Sequence, residues 1–427
     1  MSERPVSSSA AELIARADLP GARAAIADIA IRTPTLPCDE LSELAGTPVA
    51  LKAECLQRSG SFKLRGALAK VAVLDGSTLT GTPQDGGQAG ERALVTASAG
   101  NHARAVAYAA RVRGLECEVF MPRDAAVSKV AAIERLGARV HLQGASVEEA
   151  LELARVRAAD GGAAFVHPFD DLDVIAGQGT LGLELLEDVP DLARVVVPVG
   201  GGGLASGIGI ALRRAGCEAE LVGVQARACA PYVRLLDGAH GAELPEAAPG
   251  ATIADGIAIK RPGELTSVLL GELLSGVLTV AEDEIADAMV FLAEHARLIV
   301  EGAGAVAAAA LIGGRLAPAQ GTTVAIVSGG NVDGGLLAGL LRRHETEEGR
   351  RVRIFTRVPD RPGGLAELLG VVADARANLL SIEHVREAVA LNVRETGVEL
   401  TLETRGREHT AELLARLRTA GYEVSSP

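Results

Sequence analysis

Between residues 93 and 224, short runs of aliphatic and β-branched residues alternate with amphipathic stretches of helical length, and this alternation limits the fold more than any other feature. Strands are expected at 93–96, 117–121, 139–142, 163–167, 195–199 and 220–224, with a last one at 324–328. Helices are expected at 103–113, 127–136, 147–158, 181–187, from Gly203 to Arg214, and at 285–297. Strand, helix and strand in strict succession make parallel βαβ units. The run Val195-Val196-Val197-Pro198-Val199 suits a strand buried on both faces, with Pro198 marking its end or a sheet edge. A chain of 427 residues exceeds a single core, so two or three domains are expected. Only 2% of the residues are aromatic while 50 are glycine, which suits an α/β architecture with tight connections better than a sandwich.

Other stretches punctuate this pattern. Residues 1–31 read as a helical lead-in broken by Arg32-Thr33-Pro34, and 76–91 as a polar surface loop. Gly177-Gln178-Gly179-Thr180 is read as the opening of the helix at 181–187. Residues 343–351 are charged and lack a core face, as a domain linker would. After them the period changes. Strands are expected at 352–358, 379–385, 398–404 and 422–425. Leu365, Leu368, Leu369 and Val372 mark one helix face, and Leu413, Leu414 and Leu417 a second. That order is βαββαβ, the ferredoxin-like arrangement. The expected division is a catalytic region over 1–342, with a smaller subdomain over roughly 53–160 inserted in the larger one, and a separate C-terminal domain over 352–427.

Charge and cysteine content exclude several functions. A net charge of −13 argues against a nucleic-acid groove, because phosphate recognition needs clustered cations. The five cysteines are scattered and form no CxxC pair, as in a reducing cytoplasm. The first ten residues are polar and have no apolar h-region, so no secretory signal is expected. The uncharged run 195–212 contains Pro198 and six glycines and splits into a strand and a helix, so no membrane span is expected.

The chemistry starts at Lys63. Lysines number only five against 42 lysines and arginines together, so Arg supplies nearly all the cationic surface. An amine, unlike a guanidinium, can condense with a carbonyl. Lys63 follows Gly60-Ser61-Phe62 and precedes a helix over 64–74. An aldehyde cofactor bearing a phosphate would need such a lysine and a separate anion cradle. Gly200-Gly201-Gly202-Gly203, between a buried strand and a helix, supplies one. Its amides can close on an anion without Cβ obstruction, and the helix N-terminus adds partial positive charge. The same stretch fits the loose dinucleotide pattern Gly200-x-Gly202-x-x-Ala205, but the following strand ends at Gln225 where that pattern requires an acid. Ser98-Ala99-Gly100-Asn101-His102 is a second strand-to-helix turn, suited either to hold a carboxylate or simply to cap the helix. His102 beside a helix start is read as structural. Ser328, at the end of a buried strand, is either a satisfied hydroxyl or a site residue.

These residues carry a resemblance over nearly the whole chain. The segments SGSFKLRGA at 59–67, ASAGNHA at 97–103, the Lys-Val-x-x-Ile-x-x-Leu-Gly-Ala pattern within 127–144, His167-Pro168-Phe169-Asp170, PVGGGGLASG at 198–207, TIADG at 252–256 and SGGNVD at 328–333 occur in this order. The chain resembles the pyridoxal-phosphate-dependent threonine dehydratases of the tryptophan-synthase-β-like fold. The resemblance implies that Lys63 would hold pyridoxal 5'-phosphate covalently, with Phe62 beside the ring. Asn101 would bond the ring's 3-oxygen, Gly200, Gly201, Gly202 and Gly203 would cradle the phosphate, and Ser328 would face the pyridine nitrogen. Ser98, Ala99, Gly100 and Asn101 would take the substrate carboxylate. Residues 352–427 resemble an ACT domain, and Asp360, Gly363, Gly364 and Leu365 would lie at an amino-acid effector site. The implied activity is deamination of L-threonine, with L-serine as a slower substrate, in a cytoplasmic homodimer or homotetramer serving isoleucine biosynthesis. Serine racemases are similar but carry a serine where this chain has Ala99. The acidic pair that holds a cation in that branch is not evident at Gln225–Ala230, so no metal is carried over. A nicotinamide-dependent oxidoreductase and a non-catalytic amino-acid sensor are the readings from other classes.

Overall fold

The computed structural model describes residues 9–75, 93–161, 163–235, 252–385 and 394–425. The expected loop at 76–91 lies outside the described residues. The chain forms two compact units, one ending at Val332 and one beginning at Asp333. Thirteen strands are assigned among the described residues. They are β1 Thr35–Pro37, β2 Val49–Ala53, β3 Ala93–Ala97, β4 Glu116–Met121, β5 Arg139–Leu142, β6 Ala163–Phe165, β7 Leu192–Pro198, β8 Glu220–Ala226, β9 Gly276–Val280, β10 Thr322–Val327, β11 Arg351–Pro359, β12 Asn378–Val385 and β13 Glu395–Glu403.

The first unit holds two sheets. One is six-stranded, in the order β1-β2-β10-β7-β8-β9, and parallel except for the β1–β2 pair. The other is four-stranded, in the order β5-β4-β3-β6, and wholly parallel. Central strand β7 is buried along Val195-Val196-Val197-Pro198 and ends at Pro198, which therefore terminates a strand instead of marking an edge. The lead-in forms two short helices, Ala10–Arg16 and Leu19–Ile26, because Ser9 and Asp18 each cap a start and Pro20 sits in the first turn of the second. The expected helix at 285–297 is α-helical over Glu282–Phe291 and ends in a π-helical turn, Leu292–Ala296.

One expectation is corrected here. Gly177-Gln178-Gly179-Thr180 lies inside the helix Leu172–Asp188 and does not open it; Asp171 caps the true start, accepting from Asp173 and Val174 amides. The glycines serve helix packing. A Cβ on Gly177 would stand 2.6 Å from the Arg65 carbonyl oxygen, and one on Gly207 would stand 2.4 Å from that of Ile175. The helix Leu172–Asp188 is thereby pressed between Lys63–Leu74 and Gly203–Arg214. Side-chain packing into close-fitting helices of this kind outweighs the local cost of helical glycine.

In the second unit the helix Gly334–Glu347 precedes β11, with Asp333 accepting from Gly335 and Leu336 amides at its start. Most of the expected linker at 343–351 is therefore helical. None of this helix's residues is fully buried. The sheet is antiparallel in the order β11-β13-β12, and the helices Gly364–Asp374 and Arg407–Thr419 supply Leu368, Val372, Leu413 and Leu417 to its core. The fourth strand expected at 422–425 is reduced to a bridge between Phe355 and Ser425.

Candidate active site

The Lys63 segment and the turn after β10 are tied together by backbone. The Phe62 amide donates to the Ser328 carbonyl at 3.0 Å, the Gly330 amide to the Gly60 carbonyl at 2.9 Å, and Ser61 pairs with Gly329 as an antiparallel bridge. These bonds bring Lys63 and Ser328 to one pocket. Phe62, Lys63, Asn101, Gly200–Gly203 and Ser328 all line it, with Phe169, Ile257, Glu301 and Ala303 completing the walls. Lys63 is the first residue of the helix Lys63–Leu74. Its Nζ donates to the Pro168 carbonyl at 2.7 Å and lies 5.2 Å from the centre of the Phe62 ring. Burial pushes its ammonium down to about 8, because desolvation disfavours the charged form.

The glycine loop runs between β7 and the helix Gly203–Arg214. Gly202 has a φ of +92°, which favours glycine there. A Cβ on Gly201 would stand 2.2 Å from the Phe169 ring, and one on Gly200 would stand 2.8 Å from Ile257 Cα. Only bare backbone fits between the walls. From behind, buried Tyr232 donates to the Gly201 carbonyl at 3.0 Å. The Gln225 amide donates to the Val199 carbonyl and accepts from the Tyr232 amide.

Asn101 begins the helix Asn101–Arg113, and the helix start presents it to the pocket. Ser328 Oγ donates only a long bond, 3.4 Å, to the Ala303 carbonyl. Ser98, Ala99 and Gly100 are half-buried and adjoin the pocket without lining it; Ser98 Oγ accepts from the Gly100 amide at 3.1 Å, and space is open beside Gly100. His102 Nε2 pairs with the Val166 carbonyl, and burial drives its pKa down to about 3, so it is neutral and structural. In the second unit, Asp360 and Gly363 are exposed on the turn before the helix Gly364–Asp374, Gly364 is packed on the Pro359 carbonyl, and Leu365 is half-buried against the core.

Three features escaped the sequence reading. Behind Lys63, Arg65 is buried between Glu54 and Glu184. Its Nε and Nη2 bond Glu54 at 2.9 and 2.8 Å, and Nη1 bonds Glu184 at 2.7 Å. Buried Lys52 bonds Glu184 and Asp188 beside it. Glu301 and Asn331 both bond the Asn101 side chain. Glu301 was legible in principle, as the lone charge in the apolar run 298–312.

A buried, partly neutral amine, a bare-backbone cradle at a helix N-terminus, an amide donor and a weakly engaged hydroxyl suit an aldehyde cofactor carrying a phosphate. The family model described as pyridoxal-phosphate dependent enzyme matches residues 26–329. The chain belongs to this pyridoxal-phosphate-dependent family. A second model, the ACT domain, matches residues 352–421. The L-threonine ammonia-lyase of Thermotoga maritima is 42% identical over 96% of this chain and 99% of its own. The structure of processed threonine deaminase isoform 2 from Solanum lycopersicum is 31% identical, with a TM-score of 0.68 over 80% of this chain and 91% of its own. A serine racemase from Dictyostelium discoideum is 34% identical, with a TM-score of 0.64 over 74% of this chain and 98% of its own.

Since this enzyme is pyridoxal-phosphate dependent, the depressed Lys63 pKa has a kinetic consequence. Only neutral amine adds to an aldehyde. Cofactor uptake by the apoenzyme is therefore expected to quicken by about tenfold per pH unit below the Lys63 pKa and to level off above it. Stopped-flow growth of the visible band would check this, and a rise continuing past pH 10 would contradict the desolvated site.

Proposed function

We infer that this enzyme deaminates L-threonine to 2-oxobutanoate and ammonia, with L-serine as a slower substrate. The observation that carries the reading is the convergence of Lys63, Asn101, the glycine loop and Ser328 on one pocket, in a chain alike over 96% of its length to an L-threonine ammonia-lyase. Lys63 would hold the cofactor, Gly200–Gly203 its phosphate, Asn101 its 3-oxygen and Ser328 its pyridine nitrogen. When bound, the cofactor acidifies the substrate Cα–H and accepts the electrons released there. Lys63, as the free amine, would take the Cα proton. Ser98–Asn101 orient the carboxylate with the amides of the turn. Ser328 would present a hydroxyl and no carboxylate to the ring nitrogen, so this chain would supply no negative charge to hold a proton there. The enamine formed by loss of water takes water back outside the site, giving the 2-oxo acid and ammonia.

Racemisation is the second reading, favoured by the serine racemase likeness. It needs a base on the other face of Cα, and Ala99 carries no group that can move a proton. Incubating the enzyme with L-serine or L-threonine tests both: release of 2-oxo acid without D-isomer supports elimination, and D-isomer accumulation would refute it.

Amino-acid regulation is assigned to the ACT domain, with isoleucine or valine bound near Asp360–Leu365 in a cytoplasmic homodimer or homotetramer of a biosynthetic enzyme. A catalytic region over 1–342, with a subdomain at roughly 53–160 inserted in it, and a regulatory domain over 352–427 belong to the same reading, although the compact units themselves divide between Val332 and Asp333. Removing residues 345–427 is expected to abolish any response of the threonine rate to isoleucine or valine. An unchanged response would remove the idea. No helix among the described residues is long and apolar enough to cross a membrane.

A further inference from the structure

A buried carboxyl stands at this pocket with no part in the mechanism above. Glu301 is 6% exposed and lines the pocket from the start of the helix Gly302–Ile312. Its Oε1 accepts from Asn101 Nδ2 at 2.5 Å. Asn101 Oδ1 accepts from Asn331 Nδ2 at 2.7 Å, and Asn331 Nδ2 also donates to the Ser59 carbonyl at 2.9 Å. A carbonyl can only accept, so Ser59 orients the Asn331 amide. Asn331 then orients the Asn101 amide with its nitrogen toward Glu301. Asn101 has two N–H donors, of which Glu301 uses one.

We propose that Glu301 is a titrating positioning residue, which with Asn331 fixes the donor sense of the Asn101 amide and through its own protonation sets how strongly Asn101 donates into the pocket. This rests on the reading that Asn101 meets the cofactor's 3-oxygen. An ionised Glu301 draws one N–H of the shared amide and places negative charge behind it, which weakens donation to an anionic oxygen. A neutral Glu301 releases that competition. Burial raises the Glu301 carboxyl to about 7. The charged groups around it are Asp255, which raises it further, and Lys129 and Arg104, which oppose this; the Cys55 thiol is also near, itself pushed up to about 12. Lys63 lines the same pocket.

The test is a pH titration of the visible spectrum of the full-length holoenzyme, alongside equilibrium binding of pyridoxal phosphate to the apoenzyme. Wild type is expected to show a spectral transition near neutrality and cofactor binding about three- to tenfold weaker above it than below, a coupling of half to one pKa unit. In Glu301→Gln both changes should vanish while the band persists. Persistence of the transition at the same midpoint in Glu301→Gln would overturn the proposal. Should that variant not fold, Glu301→Asp keeps a carboxyl one methylene shorter, and its midpoint is expected to move; an unmoved midpoint overturns the proposal equally. Absence of any visible band in the wild type would remove both this inference and the reading beneath it, whereas a band that does not titrate removes this inference alone.

Discussion

Replacing Lys63 by alanine is expected to eliminate the visible absorption of the purified holoenzyme and to lower kcat on L-threonine by about 10²- to 10⁴-fold. Both effects follow from one atom. Lys63 Nζ is held in the pocket by the Pro168 carbonyl, beside the Phe62 ring and within reach of the space walled by the glycine loop. Burial leaves a substantial neutral fraction at physiological pH, so the amine is competent both to hold a carbonyl group and to take a proton. The fold should survive, because the buried bonds that seat this helix belong to Arg65. Unchanged thermal denaturation of the apoenzyme with lost absorption and turnover is the predicted combination. A Lys63→Ala protein that retained the band and the activity would end the assignment.

Arg65→Leu carries the largest expected cost in stability. The guanidinium is 1% exposed and bonds Glu54, itself fully buried, as well as Glu184. The charge of Arg65 holds the Glu54 carboxyl below its usual range against the opposing effect of burial. Removing the cation strands the Glu54 carboxylate, while Glu184 keeps Lys52; deleting one partner of a buried pair costs about 3–5 kcal/mol. Denaturant titration should show that loss with little change in slope. Arg65→Lys is expected to recover only part of it, since an ammonium cannot fork to both carboxylates. Activity should fall as well, because Arg65 stands two residues from Lys63 and seats the start of that helix. Wild-type stability in Arg65→Leu would show the network to be dispensable.

Much of this was legible along the chain, and the failures have specific causes. The βαβ alternation predicts parallel strand pairing, because period-two and period-3.6 patterns are local. The glycine loop, Asn101 and Lys63 stood out because their residue types are tied to backbone conformation or to amine chemistry. The helix Leu172–Asp188 was begun too late, because Gly177 and Gly179 read as punctuation when their real constraint is the Arg65 backbone and the helix Gly203–Arg214 on the far side. The strand at 422–425 shrank to one bridge at Phe355, since alternation alone does not supply the ladder. The ion network escaped because Arg65, Glu54, Glu184 and Lys52 look like surface charges, and nothing in their spacing marks them as mutual partners.

The sequence by itself determined the classes of element, the amine and its anion cradle, and the change of pattern that begins the C-terminal domain. Each depends on a preference that acts within a few residues. The tertiary structure alone decided that Ser328 and Lys63 line one pocket, that Arg65 is neutralised from two sides, and that Glu301 and Asn331 both bond the Asn101 amide. These depend on backbone bonds between distant segments and on the removal of water, and burial is what turns ordinary side chains into a desolvated amine and a carboxyl that titrates near neutrality.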